Sequence, residues 1–65
     1  MKAQSGEVLF EHVQIGTIVR VTAIDAATGT EVVIQGPANI GTAALQRTAM
    51  AKLEYVLKKQ QAENR

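Results

Sequence analysis

The sequence predicts an α+β domain: a three-stranded antiparallel β-meander followed by one C-terminal α-helix packed on one face of the sheet. Two runs rich in β-branched residues, 18–24 and 30–35, flank a short loop that ends in glycine, a pattern typical of a β-hairpin. An alternating segment, residues 7–13, precedes them across a second glycine-containing turn. The stretch after Pro37 is rich in alanine, leucine and lysine, which favour a helix.

The first hairpin turns around Gly16, which can adopt the positive φ that a tight turn requires. A two-residue loop, Ile15-Gly16, and a four-residue loop, Gln14 to Thr17, give the same strand register. That register places Glu11 opposite Arg20, an opposite-charge cross-strand pair. It also places Phe10 opposite Val21.

The second hairpin is expected to turn through a four-residue loop, 26–29. Asp25 starts this loop, and its carboxylate can accept hydrogen bonds from the N–H groups just ahead. A four-residue loop places Ala23 opposite Val32, whereas a three-residue loop would bring Gln35 into the apolar face. The uniform face favours the longer loop, and the predicted core side of the sheet comprises Val8, Phe10, Val19, Val21, Ala23, Val32 and Ile34.

The helix is expected to begin near Thr42 and to run to about Gln61. Proline cannot donate to a β-ladder, so the pair Gly36-Pro37 should end the sheet. An apolar stripe at helical spacing predicts the side that packs on the sheet: Leu45, Ala49, Met50, Leu53, Val56 and Leu57. The predicted organisation is one domain over residues 1–65, with a flexible leader 1–6, a meander 7–35, a connector 36–41, a helix 42–61 and a frayed tail 62–65.

The composition excludes several kinds of stabilising and catalytic chemistry. A chain of 65 residues buries a small core, and domains of this size usually depend on disulfides, a metal or a partner chain. The absence of cysteine excludes disulfides, thiolate metal sites and cysteine nucleophiles, and one histidine argues against a zinc site. Association with a partner chain is the remaining means of stabilisation.

Charge and hydropathy indicate a cytoplasmic protein that does not cross a membrane. The net charge is +1, from seven basic and six acidic side chains, so no strong field attracts nucleic acid or anionic lipid. Residues 1–6 are polar and lack the apolar stretch of a signal peptide. No apolar run approaches the roughly 20 residues that a membrane-spanning helix needs.

The second face of the sheet predicts an interaction surface, because a single helix covers only one face. An antiparallel sheet that leaves a face in water usually makes that face polar. Here it carries five aliphatic side chains, which form a candidate interface: Leu9, Val13, Ile18, Ile24 and Val33. We expect a homo-oligomer, most simply a dimer, or an unidentified protein partner. Sheets that pack face to face and third strands that join edge to edge are both compatible with the sequence, and scattered surface aliphatics are the alternative interpretation.

The sequence predicts no catalytic, cofactor-binding or metal-binding residue. His12 lacks a second histidine or an orienting carboxylate on its own face. Asp25 is one carboxylate in a turn, too few for calcium. The scattered glycines form no phosphate-binding loop, and the single serine, Ser5, falls in the leader. No cofactor is therefore expected, and we expect a protein that is not an enzyme.

Four basic side chains on the helix offer an alternative function as a nucleic-acid-binding accessory protein: Arg47, Lys52, Lys58 and Lys59. Such contacts would neutralise phosphates and weaken with salt. The sequence lacks aromatic stacking surfaces, and Glu54 and Glu63 dilute the positive charge. A solvated helix face is the favoured interpretation of these residues.

Three segments carry a resemblance to known sequences. They are VTAIDAATGTEV at residues 21–32, GPAN at residues 36–39 and LEYVL at residues 53–57. With them, the chain resembles a family of short bacterial proteins of unknown function from about Glu7 to Lys58. The resemblance implies no activity, ligand or site residue.

Overall fold

The computed structural model describes residues 7–63. The predicted leader, 1–6, and the last two residues of the predicted tail lie outside the described residues. The elements follow in the order β1 (Val8–Ile15), β2 (Ile18–Asp25), β3 (Glu31–Pro37), a 3-10 turn (Ala38–Ile40) and α1 (Thr42–Glu63). The sheet order is β1-β2-β3 with antiparallel neighbours, and α1 packs on one face. The predicted α+β meander with one C-terminal helix is confirmed.

The core lies between α1 and the face of the sheet that the sequence predicts. Apolar side chains from the two layers interdigitate there without polar partners, which is the main source of stability in a small domain. The buried members are Val19, Val21, Ala23, Val32, Leu45, Ala49 and Leu53, with Val8, Phe10, Ile34, Ala38, Val56 and Leu57 packed around them.

The second hairpin has the predicted register, with Ala23 opposite Val32. Asp25, which is 7% exposed, holds its loop through one carboxylate oxygen. Thr28 donates to that oxygen, Oδ2, from its hydroxyl at 2.7 Å and from its backbone N–H at 3.2 Å. Gly29 follows with a φ of 76°. Turn chemistry therefore accounts for Asp25, as predicted.

The predicted register of the first hairpin is wrong by two residues. Glu11 lies opposite Thr22, not Arg20, and Phe10 lies opposite Ala23. The reason is the turn: the observed loop is Gly16-Thr17, with Gly16 at a φ of 60°, whereas the predicted two-residue loop is Ile15-Gly16, and tight hairpins accept glycine at either position. Because the error is an even number, every side chain keeps its predicted face.

Each of the four elements continues beyond its predicted end, and β1 projects beyond the helix. β1 continues to Ile15 instead of residue 13, and β2 to Asp25 instead of residue 24. β3 continues to Pro37 instead of ending at residue 35, and α1 continues to Glu63. The helix packs on β2 and β3, so the inward-facing Phe10 of β1 is only half-buried and His12 is exposed. Val8 and Phe10 of β1 nevertheless pack against the core, on the face that the sequence predicts.

Candidate interaction surface

The face of the sheet opposite α1 carries five of the seven large hydrophobic side chains that are exposed in the described chain. Strand alternation brings odd residues of β1 and β3 and even residues of β2 to this face. We call its six aliphatic side chains the outer patch: Leu9, Val13, Ile15, Ile18, Ile24 and Val33. Five of them are 40–59% exposed, and Ile24 is half-buried. All five residues of the predicted interface lie in this patch.

Ile15 belongs to the outer patch, although the sequence predicts that it lies in the turn. It is 59% exposed and pairs with Ile18 at the end of the hairpin. The alternation of β1 continues through Val13 to Ile15, and that signal identifies it once Gly16 is taken as the first loop residue. The row Ile15, Ile18 and Pro37 makes one end of the face wholly apolar.

Polar residues of both signs occupy the middle of the same face. Arg20 lies between Val13 on β1 and Gln35 on β3. Glu11 lies beside Thr22 in the next row of the sheet. The face therefore has one wholly apolar end, a charged centre, and a second end where Leu9 and Ile24 are followed by Glu31 on β3.

The free edge of β3 is capped from the helix. The N–H of Asp25 donates to the carbonyl of Thr30, and the N–H of Ala38 donates to the carbonyl of Thr17. In an antiparallel ladder, residues that bond to the neighbouring strand alternate with residues whose N–H and C=O groups point away from it. Because Thr30 and Ala38 bond to β2, the odd-numbered residues between them, including Val33, point these groups away from β2. Lys52 Nζ donates to the Val33 carbonyl at 3.1 Å.

The free edge of β1 has no comparable cap among the described residues. The N–H of Ala26 donates to the carbonyl of Glu7, so odd residues of β1 bond to β2. The even residues of β1 point their N–H and C=O groups away from the sheet, and these residues are Val8, Phe10, His12 and Gln14. No described side chain donates to or accepts from those groups. We call this row the β1 edge.

A groove of about 530 Å³ lies where β1 projects past the helix. Its apolar surface comes from Phe10 and Met50, and Arg47 and Gln46 form a polar rim. The groove opens on the same side of the sheet as α1, so it is separate from the outer patch.

The structure does not bring the four basic candidates together at one surface. Lys52 reaches the β3 edge, whereas Arg47 lines the groove beside β1. Lys58 and Lys59 are exposed toward the carboxyl end of α1. The structure thus divides the predicted nucleic-acid contacts between opposite sides of the helix.

Metal-binding clusters and membrane-spanning helices are both absent from the described part of the chain. Across residues 7–63, no group of three or more histidine, cysteine, aspartate or glutamate side chains is arranged to hold a metal ion. No helix in the same span is long and apolar enough to cross a membrane.

Comparisons with known proteins give a family but no function. No curated protein matches the chain. No solved structure matches it either. One family model, described as a domain of unknown function (DUF6898), matches residues 5–60, which is most of the chain. This chain is therefore a member of the DUF6898 family of domains of unknown function.

Proposed function

We propose that this protein is a non-enzymatic self-association module that packs its outer patch against the outer patch of a second copy. One observation carries the proposal: six aliphatic side chains lie together on a sheet face that no described element covers. Removing apolar surface from water contributes about 25 cal/mol per Å². A face of this kind therefore favours association over exposure.

A second copy is the occupant that the charges of this face favour. Arg20 supplies a positive charge, and Glu11 and Glu31 supply negative charges on the same surface. A two-fold axis brings a surface against itself, so it can set the guanidinium of one copy against a carboxylate of the other. Charge complementarity of this kind selects the partner and its orientation.

The non-enzymatic part of the proposal is supported by the positions of the reactive side chains. The carboxylate of Asp25 is engaged by Thr28 within the turn. His12 lies opposite Val21, whereas Asp25 lies opposite Val8, four residues away along β1. The histidine and the aspartate are therefore not neighbours in the sheet. The proposal includes a cytoplasmic location in a bacterial cell, which rests on the sequence resemblance and the near-neutral charge.

The test compares two Ile→Glu variants by light scattering over a concentration series. Ile18→Glu introduces a charge into the outer patch, and Ile40→Glu is the matched control at a 52% exposed isoleucine outside the sheet. We expect the unaltered chain and the control to associate. The Ile18→Glu dissociation constant should be at least about tenfold higher, which corresponds to about 1.4 kcal/mol.

Circular dichroism and urea unfolding of both variants separate loss of association from loss of folding. A monomer at every concentration in the unaltered chain contradicts the proposal. So does an Ile18→Glu variant that is folded and associates as strongly as the Ile40→Glu control.

A further inference from the structure

The two edges of the sheet differ in whether they can accept another strand. At the β3 edge, Lys52 occupies the Val33 carbonyl, and Pro37 has no N–H to donate. Lysine and proline at an edge both oppose strand addition. β1 contains neither in its eight residues, VLFEHVQI, and no described side chain bonds to its outward N–H and C=O groups. Strand addition is therefore directed to the β1 edge.

The size of the outer patch supplies a second reason for edge pairing. Three strands of about eight residues give a face of roughly 14 Å by 26 Å, or about 370 Å². A stable interface typically removes about 800 Å² of surface from each partner. One three-stranded sheet is thus small for a face-to-face contact, and a sheet of twice the width approaches the requirement.

We propose that two copies of this chain pair their β1 edges antiparallel across a two-fold axis, which joins their sheets into one six-stranded sheet. This inference rests on the proposed self-association and specifies how it is built. The outward N–H and C=O groups of both copies satisfy one another, because a two-fold contact uses the same edge twice. The widened outer face then packs on that of a second pair.

The side chains of β1 select one register among those that the ladder allows. If the axis passes through Glu11, the two Glu11 carboxylates lie directly opposite, which is destabilising. If it passes through Phe10, Leu9 lies opposite Glu11 of the second copy. If it passes through His12, Leu9 lies opposite Ile15 of the second copy, and Glu11 lies opposite Val13. Of these three registers, the third is the one that pairs two aliphatic side chains, Leu9 with Ile15, without setting Glu11 opposite Glu11.

The chosen register extends the outer patch across the junction. Along one row, Ile24 and Leu9 of one copy continue into Ile15 and Ile18 of the other, because Leu9 pairs with Ile24 and Ile15 pairs with Ile18 within each sheet. A second such row follows from the two-fold symmetry. The charged rows lie between them, so the six-stranded face repeats the pattern of the single sheet.

Single-cysteine variants test the register, because the natural chain has no cysteine. In His12→Cys, the two cysteines face each other in a bonded pair with Cα atoms about 5.5 Å apart, which is within disulfide reach. Glu11→Cys is the control on the neighbouring residue, where the proposed register separates the two cysteines. Lys58→Cys is the control at an exposed helix position. Each variant is oxidised at equal concentration, and the covalent dimer is quantified on a non-reducing gel.

We expect His12→Cys to form the covalent dimer at least about tenfold faster than either control, since thiols held in a preformed contact react at high effective concentration. Equal rates for His12→Cys and Lys58→Cys contradict the proposal, and faster cross-linking of Glu11→Cys contradicts the register. Light scattering of the reduced variants tests self-association independently of edge pairing. If His12→Cys associates when reduced but does not cross-link on oxidation, edge pairing alone is overturned. If the reduced variants are monomeric at every concentration, self-association itself is overturned.

Discussion

Lys52 on the helix donates a hydrogen bond from its ammonium group to the carbonyl oxygen of Val33 on β3, at 3.1 Å. The contact joins positions 19 residues apart and occupies an edge carbonyl that has no partner in the sheet. The side chain therefore fastens the helix to the strand and protects an edge from strand addition. Lys52 is one of the four basic residues that the sequence offers for phosphate binding, and in the structure its ammonium group bonds to a backbone carbonyl instead.

Replacing Lys52 with methionine should open the β3 edge while keeping the aliphatic stem of the side chain. The lost exposed hydrogen bond should lower the free energy of unfolding by about 0.5–1.5 kcal/mol. The larger effect should be faster aggregation, measured by turbidity and thioflavin fluorescence at 37 °C. Lys58→Met is the matched control, and equal aggregation of the two variants would mean that Lys52 does not protect the edge.

Removing the carboxylate of Asp25 should destabilise the second hairpin. Asp25 is 7% exposed and accepts two hydrogen bonds from Thr28. Asp25→Ala leaves both donors without this acceptor, so we expect the free energy of unfolding to fall by about 1–3 kcal/mol. Urea unfolding measures the loss. Thr28→Ser keeps the hydroxyl and should cost less than Thr28→Val, and the reverse order would exclude the hydroxyl as the stabilising contact.

The sequence predicts the strands, their faces and the second hairpin because these depend on local patterns. Ala23 faces Val32 as expected, since loop length and a uniform apolar face point to the same register. The first hairpin is different, because two turn positions for Gly16 preserve the faces and no other local signal separates them. The misplaced turn also concealed Ile15 as a member of the outer patch.

The edges of the sheet could not be predicted from the sequence, because their protection depends on contacts between distant residues. Lys52 reaches Val33 only through the position of the helix over β2 and β3. The open backbone edge of β1 has the same origin. Side-chain alternation identifies a face, whereas the closure of an edge is a property of the packed domain.

Gly36 allows the close approach of the helix to β3, and adding a methyl group there should be costly. A Cβ at this position would lie 2.7 Å from Cδ2 of Leu45, a side chain that is 3% exposed. Gly36→Ala should therefore lower the free energy of unfolding by about 1–3 kcal/mol through overpacking. The double variant Gly36→Ala with Leu45→Ala should lose less than the sum of the single variants. Additive losses in urea unfolding would exclude the predicted clash.

Ile15 is the residue at which the observed turn differs from the predicted one, because it belongs to β1 and not to the loop. With Gly16 and Thr17 as the loop, Ile15 is a strand residue that pairs with Ile18 in the outer patch. Ile15→Glu should therefore raise the dissociation constant for self-association at least about tenfold, the effect expected of Ile18→Glu, because an interface charge must be desolvated. Its effect on the free energy of unfolding of the monomer should stay below about 1 kcal/mol, since a 59% exposed side chain buries little surface on folding.

Thr17→Glu supplies the control for this prediction, since Thr17 is an exposed loop residue in the same turn. Light scattering of the two variants and of Ile40→Glu gives the comparison at equal concentrations. If Ile15→Glu and Thr17→Glu both associate as the unaltered chain does, Ile15 takes no part in the contact. If both weaken association equally, the turn as a whole contributes and the strand pairing of Ile15 with Ile18 carries no special role.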